Sequence, residues 1–294
     1  MRIFALSLGL ILSFGSALAQ DFRFMLEEEL SSKLVREIYQ DSDGFIWITT
    51  DNGLNRFDGN KVVSYSHDIN DPSSLGNDMV ISVFEDQKGS MYVGSYKGIQ
   101  LYDKKTNSFP LRAMHHDGST LFETVNGFCR LPDGSVCSFG ENVWSLHHES
   151  GRLLVDSVRW DVSTADIYRI GCDNEGYIWA LKRNDGLYRI RNNHARLICP
   201  YNNDQFSIYD IRLVEGKPYI ISSDNDIYRF ISGPDRIDRV NAQAISKASV
   251  RDIQGYGEGY LLICTDGDGL KLVNCVSGEV SPFPSIFLCC PPVI

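Results

Sequence analysis

The sequence predicts an all-β fold, a β-propeller of four-stranded antiparallel blades, because similar segments recur about every 40 to 45 residues. Three apolar positions recur in phase through six copies. The first position is held by Val35, Val80, Val125, Ile167, Ile208 and Val250. The second is rich in aromatic residues and is held by Trp47, Tyr92, Cys137, Trp179, Tyr219 and Leu262. The third is held by Leu54, Ile99, Val143, Leu187, Ile227 and Leu270. Three columns that stay in phase across six copies indicate six blades.

The first copy shows how one repeat forms four strands. Val35 to Tyr39 predicts the innermost strand, and Asp41 to Gly44 predicts a turn in which glycine supplies a positive φ. Phe45 to Thr49 is rich in β-branched and aromatic residues and predicts the second strand. Leu54 to Phe57 alternates as a third strand, and the more polar Lys61 to Tyr65 predicts the outermost strand. The predicted propeller domain covers residues 20–283, with blades near 34–68, 79–112, 124–156, 166–199, 207–240 and 249–283.

Residues 1–19 are predicted to be a secretory signal peptide. Arg2 supplies a short basic start, Ile3 to Phe14 is an apolar stretch, and Ala17-Leu18-Ala19 supplies a small-x-small cleavage pattern. The alternative is an N-terminal membrane anchor, which is less favoured because the apolar run is short for a bilayer. No later segment is long and apolar enough for a membrane helix. We therefore expect a mature chain that begins at Gln20 and is exported without membrane insertion.

The predicted outer strands indicate an incomplete seven-bladed ring. Phe22 to Leu26 looks like an outer strand without inner strands of its own, whereas the sixth copy already has an outer strand at Val280 to Phe283. Seven outer strands and six sets of inner strands imply a seventh blade. Residues 284–294 are too few for three strands and contain no aspartate-glycine turn, so we expect this atypical tail to reflect a truncation. The alternative is a six-bladed ring with a frayed N-terminal strand.

The charge and the cysteines restrict the classes of partner and site. The formal net charge is −10, which disfavours nucleic acid as a partner because an acidic surface repels phosphate. The eight cysteines lack the spacing of a small disulfide scaffold, so buried free thiols are favoured for most of them. Cys129 and Cys137 flank a Pro-Asp-Gly turn and are predicted to face each other across a hairpin. No Cys-x-x-Cys segment occurs, and no zinc site is predicted.

The copies resemble the two-component regulator propeller repeat. In the first copy the matching residues are Val35, Ile38, the Asp41 to Gly44 turn, the Ile46 to Thr50 strand, and Gly53 to Asp58. The second and fourth copies also match well, whereas the third, fifth and sixth are degenerate. The resemblance extends through the predicted mature chain to residue 283.

The resemblance implies a role in signalling. In that family the propeller belongs to the periplasmic sensor of hybrid two-component systems, which detect oligosaccharides and switch on genes for polysaccharide use. We therefore expect a periplasmic module that binds an oligosaccharide and, within a full-length receptor, could take part in a homodimer. The histidine kinase region of the family has no counterpart in this sequence, so the chain is not expected to be an enzyme.

The predicted ligand site is the mouth of the central channel, where the innermost strands begin. The residues that follow the first apolar column mix arginine, carboxylate and tyrosine. Tyrosine rings can stack on sugars, and arginine can bind uronate or sulfate groups in a fork. The alternative role for each residue is ion pairing between neighbouring blades. The candidate ligand-binding residues are Arg36, Glu37, Asn126, Tyr168, Arg169, Tyr209, Asp210, Arg251 and Asp252.

No catalytic residue, metal site or cofactor is predicted. The Asp41 to Gly44 and Asp266 to Gly269 segments lack the bidentate acid that ends a calcium loop, so they are expected to be turns. The pairs His115-His116 and His147-His148 are poor chelators by themselves, because adjacent residues in a strand point to opposite faces. The alternatives to a sensor are a glycosidase or lyase built on a propeller, and a protein-interaction scaffold.

Overall fold

The computed structural model describes residues 29–283, in which twenty-four β-strands form six sets of four. The first blade consists of β1 (Val35–Gln40), β2 (Ile46–Thr50), β3 (Gly53–Phe57) and β4 (Val62–Tyr65). The second consists of β5 (Val80–Glu85), β6 (Met91–Ser95), β7 (Gly98–Asp103) and β8 (Ser108–Met114). The third consists of β9 (Val125–Arg130), β10 (Val136–Gly140), β11 (Val143–Glu149) and β12 (Arg152–Ser157).

The remaining blades follow the same order. The fourth consists of β13 (Ile167–Cys172), β14 (Ile178–Lys182), β15 (Gly186–Arg191) and β16 (His194–Pro200). The fifth consists of β17 (Ile208–Val214), β18 (Lys217–Ser222), β19 (Ile227–Ile231) and β20 (Arg236–Arg239). The sixth consists of β21 (Val250–Gly255), β22 (Tyr260–Thr265), β23 (Leu270–Asn274) and β24 (Val280–Pro282). Strands within a blade pair antiparallel in chain order, which confirms the predicted all-β propeller of four-stranded blades.

Three predictions concern parts of the chain outside the described residues. These are the signal peptide at 1–19, the outer strand at Phe22 to Leu26, and the atypical tail at 284–294. Among residues 29–283, no helix has the length and apolar character needed to cross a membrane.

The hydrophobic core lies between neighbouring blades, because each blade carries apolar residues on both of its faces. Trp47 and Leu54 of the first blade pack in one buried cluster with Val80, Val83 and Met91 of the second. Equivalent clusters join the later blades. Most residues of the apolar columns seen in the sequence therefore hold one blade against the next.

The aspartate turns anchor the central tryptophans. The Asp41 carboxylate is buried; its Oδ1 accepts two backbone N–H groups of the turn, and its Oδ2 accepts the indole N–H of Trp47 at 2.8 Å. Asp173 binds Trp179 in the same way, also at 2.8 Å. Gly44 adopts a φ of +88°, as the predicted turn requires. The aspartate thus fixes both the turn and the largest side chain of the blade.

The second and third blades share a contact that the repeat did not predict. Their outermost strands, β8 and β12, pair in parallel, with Leu153 opposite Ala113 and Leu154 opposite Met114. The two blades therefore form one eight-stranded sheet.

The first blade has an uncovered apolar face. Val35 and Ile38 are 42% and 67% exposed, whereas Val80 and Val83, which hold the same positions in the second blade, are 0% and 2% exposed. Contacts between innermost strands run in order from β1 to β21, and within residues 29–283 no comparable set of contacts joins β21 back to β1. The six described blades therefore leave the ring open between the sixth blade and the first.

Candidate functional site

The innermost strands of all six blades surround a central cavity of about 1030 Å³. Its lining combines charged and polar side chains with apolar ones such as Ile81, Phe128 and Leu213. Six of the nine predicted site residues line the cavity: Arg36, Glu37, Asn126, Tyr168, Arg169 and Asp252. Tyr209, Asp210 and Arg251 are not among the lining residues.

A β-bulge lies at the start of the innermost strand in all six blades. In the first blade Val35 pairs with Thr50 and Glu37 pairs with Thr49, so Arg36 is left unpaired between them. The same shift leaves one residue unpaired in each later blade, namely Ile81, Asn126, Tyr168, Tyr209 and Arg251. A bulge redirects the side chain of the extra residue. In the fourth blade, Ile167 is therefore buried in the core while its neighbour Tyr168 lines the cavity.

Ion pairs connect the fourth, fifth and sixth blades. The Arg169 guanidinium donates to both carboxylate oxygens of Asp210, with Nε–Oδ1 at 3.0 Å and Nη2–Oδ2 at 3.1 Å. Arg212 donates from Nη1 to Asp210 Oδ2 and from Nε to Asp252 Oδ1, each at 2.6 Å. Burial alone would raise the pKa of the Asp210 carboxyl, but the two arginines hold it below its ordinary value. Asp210 therefore joins blades, which is the alternative role considered for these residues.

Glu37 occupies a different electrostatic environment. Its Oε2 accepts the backbone N–H of Val83 in the second blade at 2.9 Å. Burial raises the pKa of the Glu37 carboxyl, and its hydrogen bonds with Val83 and Ser82, together with the positive charges of Arg169 and Arg212, offset this only in part. The cavity thus holds a carboxyl group that accepts a proton more readily than an exposed glutamate does.

Tyrosine and arginine side chains form a second group at the mouth. The Tyr168 hydroxyl donates to the backbone carbonyl of Tyr209 at 3.0 Å, and the Arg183 guanidinium lies 5.3 Å from the centre of the Tyr168 ring. Arg251 donates to the Tyr209 hydroxyl at 3.0 Å and to Asp266 at 2.5 Å. Arg183 thus lies over an aromatic ring, whereas Arg251 contacts a tyrosine hydroxyl and a carboxylate.

The structure adds residues that the sequence analysis missed. Arg183, Arg212 and Gln254 line the cavity. Arg212 and Gln254 each lie two residues beyond a predicted site residue, so strand alternation alone would have placed them on the same side. Arg183 lies just after β14, in a connection, and no periodic signal marks it.

Comparison with known families supports the predicted repeat in the first blade. The two component regulator propeller model matches residues 29–52, which include β1 and β2. No curated protein is significantly similar to the sequence.

Comparison with solved structures supports the fold. The extracellular domain of a proposed hybrid two component system, BT4673 from B. thetaiotaomicron, superposes with a TM-score of 0.69 at 16% identity, over 85% of this chain and 36% of that one. The corresponding domain of BT3049 from the same organism gives a TM-score of 0.68 at 18% identity, over 85% and 34%. This chain therefore spans about a third of the length of these relatives.

An enzyme with this fold is also similar. A catalytically inactive histidine-to-alanine variant of virginiamycin B lyase from Staphylococcus aureus, bound to quinupristin, gives a TM-score of 0.60 at 14% identity, over 82% of this chain and 81% of that one. At such identities the likeness concerns the fold.

Proposed function

Since the first blade carries a two-component regulator propeller repeat, we propose that this chain is an exported, ligand-binding propeller module of a two-component signalling regulator. The observation that carries the proposal is the match at residues 29–52, together with the similarity of 85% of the chain to extracellular domains of such systems. In this proposal the module acts in the periplasm and binds a ligand without transforming it.

We further propose that the ligand is an oligosaccharide with acidic substituents, bound at the mouth of the central channel. A cavity of about 1030 Å³ is large enough for several sugar rings. Tyr168 offers an aromatic face, and Arg183 offers an exposed guanidinium group. The Arg36 guanidinium is also exposed but already pairs with Asp51. Arg169 and Arg212 contribute less to ligand binding because the Asp210 carboxylate already pairs with both of them.

The carboxyl groups beside the channel bear on the choice between binding and catalysis. Asp210, a buried carboxylate, pairs with two arginines and is poorly suited to accept a proton from a substrate. Glu37 lines the cavity and has a raised pKa, so it is the carboxyl group that an enzyme at this site would use as a general base. The proposal of binding without turnover therefore depends on the assay for product.

Binding calorimetry with purified chain and a panel of neutral, uronate-containing and sulfated oligosaccharides tests the proposal. We expect saturable binding of at least one acidic oligosaccharide, with no product detectable by chromatography. Product formation would favour a lyase or glycosidase, and failure of every saccharide to bind would overturn the ligand class.

Matched variants locate the site. Tyr168→Ala and Arg183→Ala should weaken binding about tenfold or more, since each removes a stacking or charge-assisted contact. Tyr256→Ala, which alters an exposed tyrosine at the other end of the sixth blade, and Arg152→Ala, on an outermost strand, should leave affinity unchanged. Unchanged affinity in Tyr168→Ala and Arg183→Ala would place the binding site elsewhere, and equal losses in all four variants would mean that the substitutions act through a general loss of stability.

A further inference from the structure

A cluster of metal-ligating groups lies outside the channel, where the second and third blades join. His116 follows β8 of the second blade, whereas His147 lies on β11 and Asp156 on β12 of the third. His147 is opposite Leu154, so Asp156, two residues farther along β12, is on the same face of the sheet as His147. The parallel pairing of β8 with β12 brings His116 to this face from the neighbouring blade.

The three side chains already meet around one point. His116 Nε2 lies 2.9 Å from Asp156 Oδ1, and His147 Nδ1 lies 3.5 Å from Asp156 Oδ2. All three potential ligand atoms lie within 4.8 Å of one another. A tetrahedral zinc ion with bonds of about 2.0–2.2 Å holds its ligand atoms roughly 3.3 Å apart. Small rotations of these side chains would therefore complete the geometry.

We propose that His116, His147 and Asp156 bind a divalent transition-metal ion, of which Zn²⁺ is the best match, and that this ion clamps the second blade to the third. Two imidazole nitrogens and one carboxylate oxygen form a ligand set that Zn²⁺ accepts with water in the fourth position. Calcium and magnesium are poor matches because they require mainly oxygen ligands.

The cluster is accessible to an ion from solvent. The His116, His147 and Asp156 side chains are 60%, 36% and 55% exposed. The pairs His115-His116 and His147-His148 each supply one ligand, which agrees with the expectation that neighbouring histidines point to opposite faces.

His148 is opposite Leu153 on the other face of β11. It therefore offers a matched control, since it is a histidine one position away from the proposed ligand His147.

The ion should stabilise the junction between the two blades. The three ligands come together only in the folded chain, and a ligand that binds the folded state alone raises stability by mass action. This increase in stability should be seen only with ions that prefer nitrogen ligands.

Equilibrium dialysis against ZnCl₂, followed by elemental analysis, tests the site directly. We expect one more Zn²⁺ per chain in the unaltered protein and in His148→Ala than in His147→Ala or Asp156→Asn. Loss of a partner that merely supports a ligand commonly costs about 10- to 100-fold in metal affinity, so loss of a ligand itself should cost at least as much. Zinc held by cysteine thiols would be the same in all four proteins and is thereby distinguished.

Thermal unfolding supplies a second readout. Zn²⁺ should raise the unfolding temperature of the unaltered chain and of His148→Ala, whereas the same concentration of Ca²⁺ or Mg²⁺ should not. Equal zinc binding by His147→Ala, Asp156→Asn and the unaltered chain would overturn the proposal, as would the absence of zinc binding from all of them.

Discussion

Asp210 of the fifth blade accepts charge-assisted hydrogen bonds from Nε and Nη2 of Arg169 in the fourth blade and from Nη1 of Arg212 in its own strand. The carboxylate is buried. One carboxylate thus pairs with two arginines beside the channel, and its removal would leave Arg212 with Asp252 alone and Arg169 without its carboxylate partner.

The first prediction concerns this ion-pair network. Asp210→Asn should lower the free energy of unfolding by about 2–3 kcal/mol at neutral pH, since breaking a buried pair strands the opposite charge, although Arg169 is partly solvated. The pKa of Asp210 is lower in the folded state than its ordinary value of 3.8. The ionised carboxylate therefore stabilises the folded protein fully above pH 3.8, and this stabilisation is lost as the pH falls through the pKa of the folded state. Urea denaturation should therefore show the difference between the two proteins shrinking below pH 3.8.

A control separates this effect from general charge loss. Asp268 pairs with Lys271 on the exposed surface, so Asp268→Asn should cost much less than Asp210→Asn. Similar losses in both variants would contradict a special role for Asp210.

The second prediction concerns the turn that holds Trp47. Asp41→Ala should reduce the free energy of unfolding by about 2–4 kcal/mol, because it leaves the buried indole N–H and two backbone N–H groups without their acceptor. Asp43→Ala in the same turn removes an exposed ion pair with Lys104 and should cost about 1 kcal/mol or less. Denaturation followed by tryptophan fluorescence measures both; equal costs would mean that the indole bond adds little.

The third prediction uses equivalent residues of two blades to test the open face. Val80→Ala should cost about 2–3 kcal/mol because Val80 is fully buried, whereas Val35→Ala should cost about 1 kcal/mol or less because Val35 is half-exposed. Chemical denaturation of the two variants compares them. A large cost at both positions would mean that another part of the polypeptide covers the first blade in solution.

The fourth prediction concerns the cysteines between the third and fourth blades. Cys129 Sγ lies 3.7 Å from Cys172 Sγ, and Cys137 is opposite Cys129 across the hairpin, as predicted. The hydrogen bond with Cys137 and burial raise the pKa of the Cys129 thiol, and the contact with Cys129 together with burial raises that of Cys172. Thiolate is the reactive form, so both residues should resist alkylation in the native chain and react after unfolding.

Peptide mapping after alkylation checks this expectation. Labelling of Cys129 and Cys172 in the native chain at the rate seen in denaturant would contradict the raised pKa of both thiols. A mass lower by two hydrogens would instead reveal a disulfide between blades.

The parts of the structure that depend on repetition could be predicted from the sequence. Residues equivalent to Val80 and Trp47 recur at a constant spacing because every blade must bury the same two faces. This spacing is enough to predict the propeller fold. The β8–β12 pairing and the approach of His116 to Asp156 could not be predicted, because they depend on how two particular blades meet. The residues around the channel could be predicted in part. Their positions repeat from blade to blade, but the residues with which they pair do not.

The bulge at the start of the innermost strands has a consequence for how such a protein can diversify. In the fourth blade Ile167 is buried in the core, whereas Tyr168, the next residue, lines the cavity, because the bulge uncouples the directions of the two side chains. A substitution at Tyr168 can therefore change the cavity lining while Ile167 keeps its packing. The chemistry of the channel can thus vary one blade at a time without repacking the core.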